Sequence, residues 1–204
     1  GLSLINWEDL RAIYRIDPQE FWLAMIATVG VLLFGAIQAI LFVVVLALLR
    51  FVRLTARPKV EILGELAGNA GYQSIERHPA AASPPGLVLF RYNGPIVFFS
   101  APHFKKAVRK AAAGAGPGLK WFVIDLLPVS MIDATGLFAI RDEFDALRSR
   151  GIVVAAAGRD TEWADRAARR DLSGVLTGIR FFPTLRLAEI AYRDNLDPDI
   201  ALEK

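Results

Sequence analysis

The stretch WFVIDLLPVSMIDATGLFAI, residues 121–140, decides the fold. Its first half is an apolar run closed by Pro128 and Ser130, which predicts a buried strand over 120–126. Its second half changes period. Leu137, Ile140, Phe144 and Leu147 recur at helical spacing with Arg141, Asp142, Asp145 and Arg148 between them, predicting a helix over 133–150 with its charges on the solvated side. Asp133, Ala134, Thr135 and Gly136 stand at the junction. An Asp or Thr oxygen there can accept a free N–H of the first helical turn, and Gly136 allows close packing against the sheet. The same geometry has a second use. A hydroxyl on Thr135 lies near the helix N-terminus, where a phosphate meets a favourable dipole field, while Asp133 repels it and makes phosphorylation disruptive.

Strands and helices alternate outward from this junction. Residues 87–92 and 96–101 are short β-rich runs separated by Asn93-Gly94, a pair that predicts a hairpin because its turn needs positive φ. A helix over 102–113, the loop GAGPG and the 120–126 strand follow. After the 133–150 helix, Gly151 marks a stop, and a strand over 152–157, a helix over 161–172, a strand over 179–182 and a helix over 185–192 complete the chain. The order β-β-α-β-α-β-α-β-α implies an α/β domain over 85–196. Its mixed sheet has about five strands, with helix-joined strands parallel and the hairpin adding one antiparallel strand. Residues 197–204 are a tail. Residues 53–84, rich in Pro, Gly, Ala and Ser, are expected to be a linker with one short extended segment at 60–63.

Further upstream the text is of another kind. The composition is 54% apolar and the mean hydropathy is +0.38, both high for a soluble chain. From Phe21 to Leu49 there is no Asp, Glu, Lys or Arg. That run of about 29 residues exceeds the roughly 18 that mark a membrane-spanning segment. As one helix it would be about 43 Å long, against a hydrocarbon core of about 30 Å. Gly35-Ala36 therefore reads as a turn between two short helices, a membrane hairpin over 21–52. Arg11 and Arg15 before it and Arg50, Arg53, Arg57 and Lys59 after it place both flanks in the cytoplasm by the positive-inside rule. A single tilted span is the alternative. In residues 1–20, Leu4, Trp7, Leu10, Ile13 and Tyr14 at helical spacing suggest an amphipathic helix at the interface. The mixed charges of WEDLRAIYRIDPQE do not fit a signal peptide. The first residue is Gly, and the chain is expected to be a piece of a longer protein.

Several chemistries find no support. With no cysteine there is no disulfide, thiolate metal site or cysteine nucleophile. The only histidines, His78 and His103, lack partners spaced for a metal or a triad. GAGPG precedes a strand and lacks the Lys-Ser/Thr of a phosphate loop. A net charge of +3 without a basic, aromatic-interleaved stripe gives no case for nucleic acid. No cofactor and no enzymatic activity is expected.

The apolar hairpin followed by RPKVEILG (57–64), YQSIERHP (72–79), FRYNGPIVFF (90–99) and VIDLLPVSMIDATG (123–136) resembles the C-terminal part of the sulfate permease (SulP) family of anion transporters. Its soluble half resembles a STAS domain, the module these transporters share with bacterial anti-sigma-factor antagonists. The resemblance implies a secondary active transporter of sulfate-like inorganic anions, built from inverted repeats with the substrate between broken helices. Those substrate-binding helices would lie upstream of Gly1, and 21–52 would be the last two membrane helices. It also implies a multi-pass protein of the bacterial inner membrane with a cytoplasmic STAS domain for regulation, interaction and assembly. Its partners would be the bilayer, the upstream helices, a second copy in a homodimer and a cytoplasmic protein. In the antagonist relatives the hydroxyl residue before the turn's Gly is the phosphoacceptor. It maps onto Thr135, with Asp133 and Gly136 also matching and Ala134 departing from the usual Ser or Thr. A membrane-tethered, antagonist-like signalling phosphoprotein is the alternative.

Overall fold

The computed structural model describes residues 11, 14–15, 18–66, 71–158 and 179–194. The expected interfacial helix within 1–20, the helix over 161–172 and the tail 197–204 lie wholly or mostly outside them. Two compact units are present, Gly1–Leu54 and Thr55–Lys204.

In the first unit, helix α1 (Pro18–Phe34, 17 residues) and helix α2 (Ala36–Ala56, 21 residues) flank Gly35. Gly35 has φ +87°, the left-handed conformation that ends one helix and lets the next begin, and which Gly adopts without the steric cost of a Cβ. Gly30 and Ala39 meet across this turn. A Cβ on Gly30 would lie 3.4 Å from that of Ala39, which is buried. Both helices run beyond the expected bounds of 21–52, because α1 starts at Pro18 and α2 continues to Ala56. At 1.5 Å per residue α2 is about 31 Å long, the thickness of a hydrocarbon core. Among the described residues it is the one helix long and apolar enough to cross a membrane. Leu32, Leu33, Ile37, Leu48 and Phe51 stay exposed, a surface suited to lipid or to other helices rather than to water.

In the second unit, strands β1 (Lys59–Glu65), β2 (Tyr72–Ser74), β3 (Leu87–Asn93), β4 (Trp121–Asp125), β5 (Val153–Ala157) and β6 (Arg180–Phe182) form one mixed sheet, ordered β2-β1-β3-β4-β5-β6. β3, β4, β5 and β6 are parallel neighbours, and β1 is antiparallel to both β2 and β3. Helices α3 (Ala101–Gly114), α4 (Ala134–Arg148) and α5 (Leu185–Arg193) complete it. The α/β class and the mixed sheet are as the sequence implied, with six strands rather than about five.

Two readings need correction. The antiparallel partner of β3 is β1, from within the expected linker, and not residues 96–101. Gly94 does not take a positive φ, and Pro95, which has no N–H, follows it at once. Ile96 makes only an isolated bridge to Ile132, and Ser100 already stands at the N-cap position of α3, with no side-chain cap bond. Within 53–84, Val60 and Ile62 pack on the core and Leu63 is buried, while β2 extends the edge. The sheet therefore begins at Lys59, and 53–84 is in large part domain.

Period-2 alternation sends side chains to two cores. Val88, Phe90, Tyr92, Phe122, Ile124 and Val154 pack under Phe104 and Val108 of α3 and Ile140, Phe144 and Leu147 of α4. Leu63, Leu87, Leu89, Val123 and Ala155 pack under Leu185, Ala188 and Ala191 of α5. Each large apolar side chain fully buried here contributes roughly 2 kcal/mol of transfer free energy.

Candidate interaction site at the Asp133 turn

Parallel strands joined through helices bring their C-terminal ends and the following loops to one end of a sheet. Here those loops are 94–100 after β3 and 126–133 after β4, and backbone pairing ties them together. Ile96 N donates to Met131 O (2.9 Å) and Asp133 N to Ile96 O (3.4 Å).

Asp133 is extended (φ −94°, ψ −179°) and caps α4. Its Oδ1 accepts from Gly136 N at 2.7 Å, and its Oδ2 accepts from Phe98 N at 2.8 Å. One carboxylate thus satisfies a first-turn N–H of α4 and pins the neighbouring loop, so the cap expected from an Asp or a Thr comes from the Asp. Gly136 is buried against that loop: a Cβ on it would lie 1.8 Å from Ile96 O. Thr135, the second residue of α4, is exposed, and no side-chain hydrogen bond to it is found among the described residues. The three residues singled out in sequence therefore come together as a cap, an exposed hydroxyl and a close contact. The other pair, Gly35 and Ala36, stands where α1 passes into α2, with Ala36 the first residue of α2.

Sequence reasoning missed what surrounds the turn. Phe98 (67% exposed), Met131 (53%) and Phe138 (46%) carry apolar surface into solvent, and Leu127 is exposed nearby. Phe98 stacks edge-on against Phe99, and Arg141 lies over the Phe138 ring with its carbon 5.0 Å from the centroid. The signal was present in VFF (97–99), but read as strand it placed these aromatics in a sheet. Behind the surface, buried Asp125 accepts from Arg91 Nε (2.7 Å) and Leu127 N (3.0 Å), fixing the start of the second loop.

Below the first loop, burial pushes the Tyr92 phenol up to about 12. Beside it, His103 is held below the usual imidazole range by burial, then by Arg57 and Lys106. An apolar space of about 20 Å³ between β4, β5 and α4 is lined by Ile124, Leu126, Ile140, Phe144 and other hydrophobic side chains. Nothing polar there could orient an anion. Among the described residues no His, Asp and Glu cluster is placed to hold a metal. What the turn offers chemically is a contact surface that includes the exposed hydroxyl of Thr135.

Comparison with known proteins fits this geometry. The STAS domain family model matches residues 78–188. The "Probable sulfate transporter Rv1739c" of Mycobacterium tuberculosis is 30% identical over 193 residues, 95% of this chain and 34% of that protein. The "High affinity sulfate transporter 2" of Stylosanthes hamata is 22% identical over 199 residues, 94% of this chain and 30% of that protein. The chain spans about a third of the length of these curated relatives. Among solved structures, murine Solute Carrier 26 family member A9, an anion transporter in the inward-facing state, superposes with a TM-score of 0.82 at 14% identity. That match covers 96% of this chain and 32% of the transporter, a likeness of fold.

Proposed function

Because the chain belongs to the STAS-domain family and is homologous over most of its length to the C-terminal part of SulP/SLC26 sulfate transporters, we propose that it is the C-terminal part of a SulP-type secondary active transporter of sulfate-like inorganic anions. In this reading α1 and α2 are the last two membrane helices, hinged at Gly35-Ala36, with both flanks in the cytoplasm of a bacterial cell. The STAS domain is the cytoplasmic module for regulation, interaction and assembly, including a homodimer. The anion binds in upstream helices.

The observation that carries this reading is the reach of the alignment, which runs over 95% of the chain and so through the helix pair as well as the STAS domain. The length and exposed apolar surface of α2 agree with it.

The exposed Thr135 favours the second reading, a membrane-tethered signalling phosphoprotein. The coding sequence upstream of Gly1 separates the two. A transporter requires several further apolar spans there, in keeping with the roughly two thirds of each relative left uncovered. A tethered signalling protein requires none.

A further inference from the structure

We propose that Arg57, His103 and Lys106 form an oxyanion site on the STAS domain, and that it holds a doubly charged tetrahedral anion such as sulfate once His103 carries a proton. The choice of ion rests on the transporter reading above, whereas the site itself stands on the second unit alone. Bound there, the anion would let the domain register the ion accumulating in the cytoplasm.

The segment before β1, the end of β3 and the start of α3 bring the cations together. Lys59, the first residue of β1, pairs with Asn93, and Val60 pairs with Tyr92 of β3. Arg57 therefore enters beside the end of β3. Its neighbour Pro58 comes so close that a Cβ on Gly94 would lie 2.7 Å from the proline Cγ. The buried Tyr92 ring packs in turn on the His103 ring of α3, with centroids 5.9 Å apart. Lys106 follows His103 by about one turn, on the same face of the helix. Arg57 and Lys106 are exposed, and neither has a carboxylate partner among the described residues. Their neighbours differ. Lys105 is paired with Asp142 and Arg109 with Glu143. No acid lies on α3 itself, Glu61 of β1 is held by Arg77 and Asn93, and Asp133 accepts two N–H groups. The charged groups that act on His103 are thus Arg57 and Lys106, which add to burial in holding its pKa down. The Tyr92 phenol, pushed up to about 12, is neutral.

The imidazole adds a switchable donor. Tyr92 Oη donates to Ser100 O at 3.3 Å and lies 3.4 Å from His103 Nδ1, which leaves the phenol oxygen free to accept from an Nδ1–H. In that tautomer Nε2 of the neutral ring carries a lone pair, which repels an anion. Protonation turns it into an N–H donor beside the guanidinium of Arg57 and the ammonium of Lys106. A doubly charged anion among these groups offsets their mutual repulsion and stabilises the imidazolium. Proton and anion therefore bind with positive coupling. The anion raises the titration midpoint of His103, and its own affinity rises as pH falls through that midpoint. Chloride carries half the charge and lacks the several oxygens that three donors can share.

His78 and His103 are the only histidines, so carbon-13 labelling of histidine gives one reporter at the site and one reference. The 204-residue chain, held in nanodiscs, is titrated by NMR in sodium chloride, sodium sulfate and sodium phosphate of equal ionic strength, with His78→Gln fixing the assignment. Sulfate is expected to raise the His103 midpoint by about 0.5 pH unit or more over chloride and to leave His78 in place. Lys106→Gln and, on a separate segment, Arg57→Gln should each remove most of that rise. Lys120→Gln, which loses the same charge before β4 at the other end of the sheet, should keep it. Equal movement of His78 and His103 would mean general screening and overturns the proposal, as does a His103 midpoint indifferent to sulfate. A response to phosphate that sulfate does not share also overturns it, since the ion is then not of the transported class. None of these readings uses transport, so failure of the site and failure of the transporter reading are separate results.

Discussion

Gly136 lies against the carbonyl of Ile96 so closely that a Cβ placed on it would come within 1.8 Å of that oxygen. Backbone meets backbone here, and no flexible side chain can give way. The contact seats the first turn of α4 on the loop after β3, which Asp133 pins from the other side. Gly136→Ala is expected to cost about 3 kcal/mol, the upper range for overpacking. A lowered denaturation midpoint at constant slope would register it.

Asp133 and Thr135 should separate cleanly. Asp133→Ala removes the cap of α4 and the partner of Phe98 N, with an expected cost of about 1 to 2 kcal/mol. Thr135→Ala should stay within about 0.5 kcal/mol, because the residue is exposed and the cap is Asp133. Equal losses in the two variants, measured by chemical denaturation, would contradict this assignment. Thr135→Glu adds an acid near a helix N-terminus, which the dipole tolerates. Any change it brings in partner binding or transport would then report on the surface rather than on folding.

Among the described residues, and apart from 96–101, the alternation of strands and helices after residue 87 was legible because each element declares its period and its stops. The break at Gly35 was legible because a charge-free run too long for one span must turn somewhere. The contribution of 59–74 was not. In KVEILGE the residues Lys59, Glu61 and Glu65 alternate with Val60, Ile62 and Gly64, the pattern of a half-buried strand. It is surrounded by Pro, Gly and Ser, and its partner lies about 30 residues away. The Asn93-Gly94 signal is local and suggested a neighbour, whereas tertiary pairing chose a distant strand. At the site, the turn residues could be named from their types. The exposed aromatics around them could not, since exposure is a property of the folded loops.

The sheet assigned to 59–74 carries its own test. Tyr72 in β2 donates to Glu189 Oε2 of α5 at 2.6 Å, and burial together with this carboxylate drives its phenol upward. Tyr72→Phe is expected to cost about 1 to 2 kcal/mol through the buried acceptor it leaves. Deleting residues 1–84 uncovers the edge of β3 and should cause aggregation. A chain starting at Thr55 should remain monodisperse by light scattering. Equal behaviour of the two truncations would count against a domain that includes β1.

His103 sets a pH dependence. Burial first, then Arg57 and Lys106, lower its folded-state pKa below the unfolded value of about 6.5. The unfolded chain therefore binds a proton that the folded chain resists. Stability is full above the unfolded pKa, falls as pH drops from there to the folded pKa, and levels off below it. His103→Gln should flatten the stability profile between about pH 7 and pH 5. A slope unchanged by this substitution would assign the titration elsewhere.

Transport itself is the most direct test of the account. The complete protein containing this chain, purified and reconstituted in liposomes with an imposed ion gradient, should take up radiolabelled sulfate or bicarbonate above empty liposomes. Gly35→Pro, which breaks the left-handed turn between α1 and α2, should abolish that uptake in protein still inserted in the membrane. Gradient-independent background uptake of every anion offered, by protein shown to be folded and inserted, would contradict the assignment.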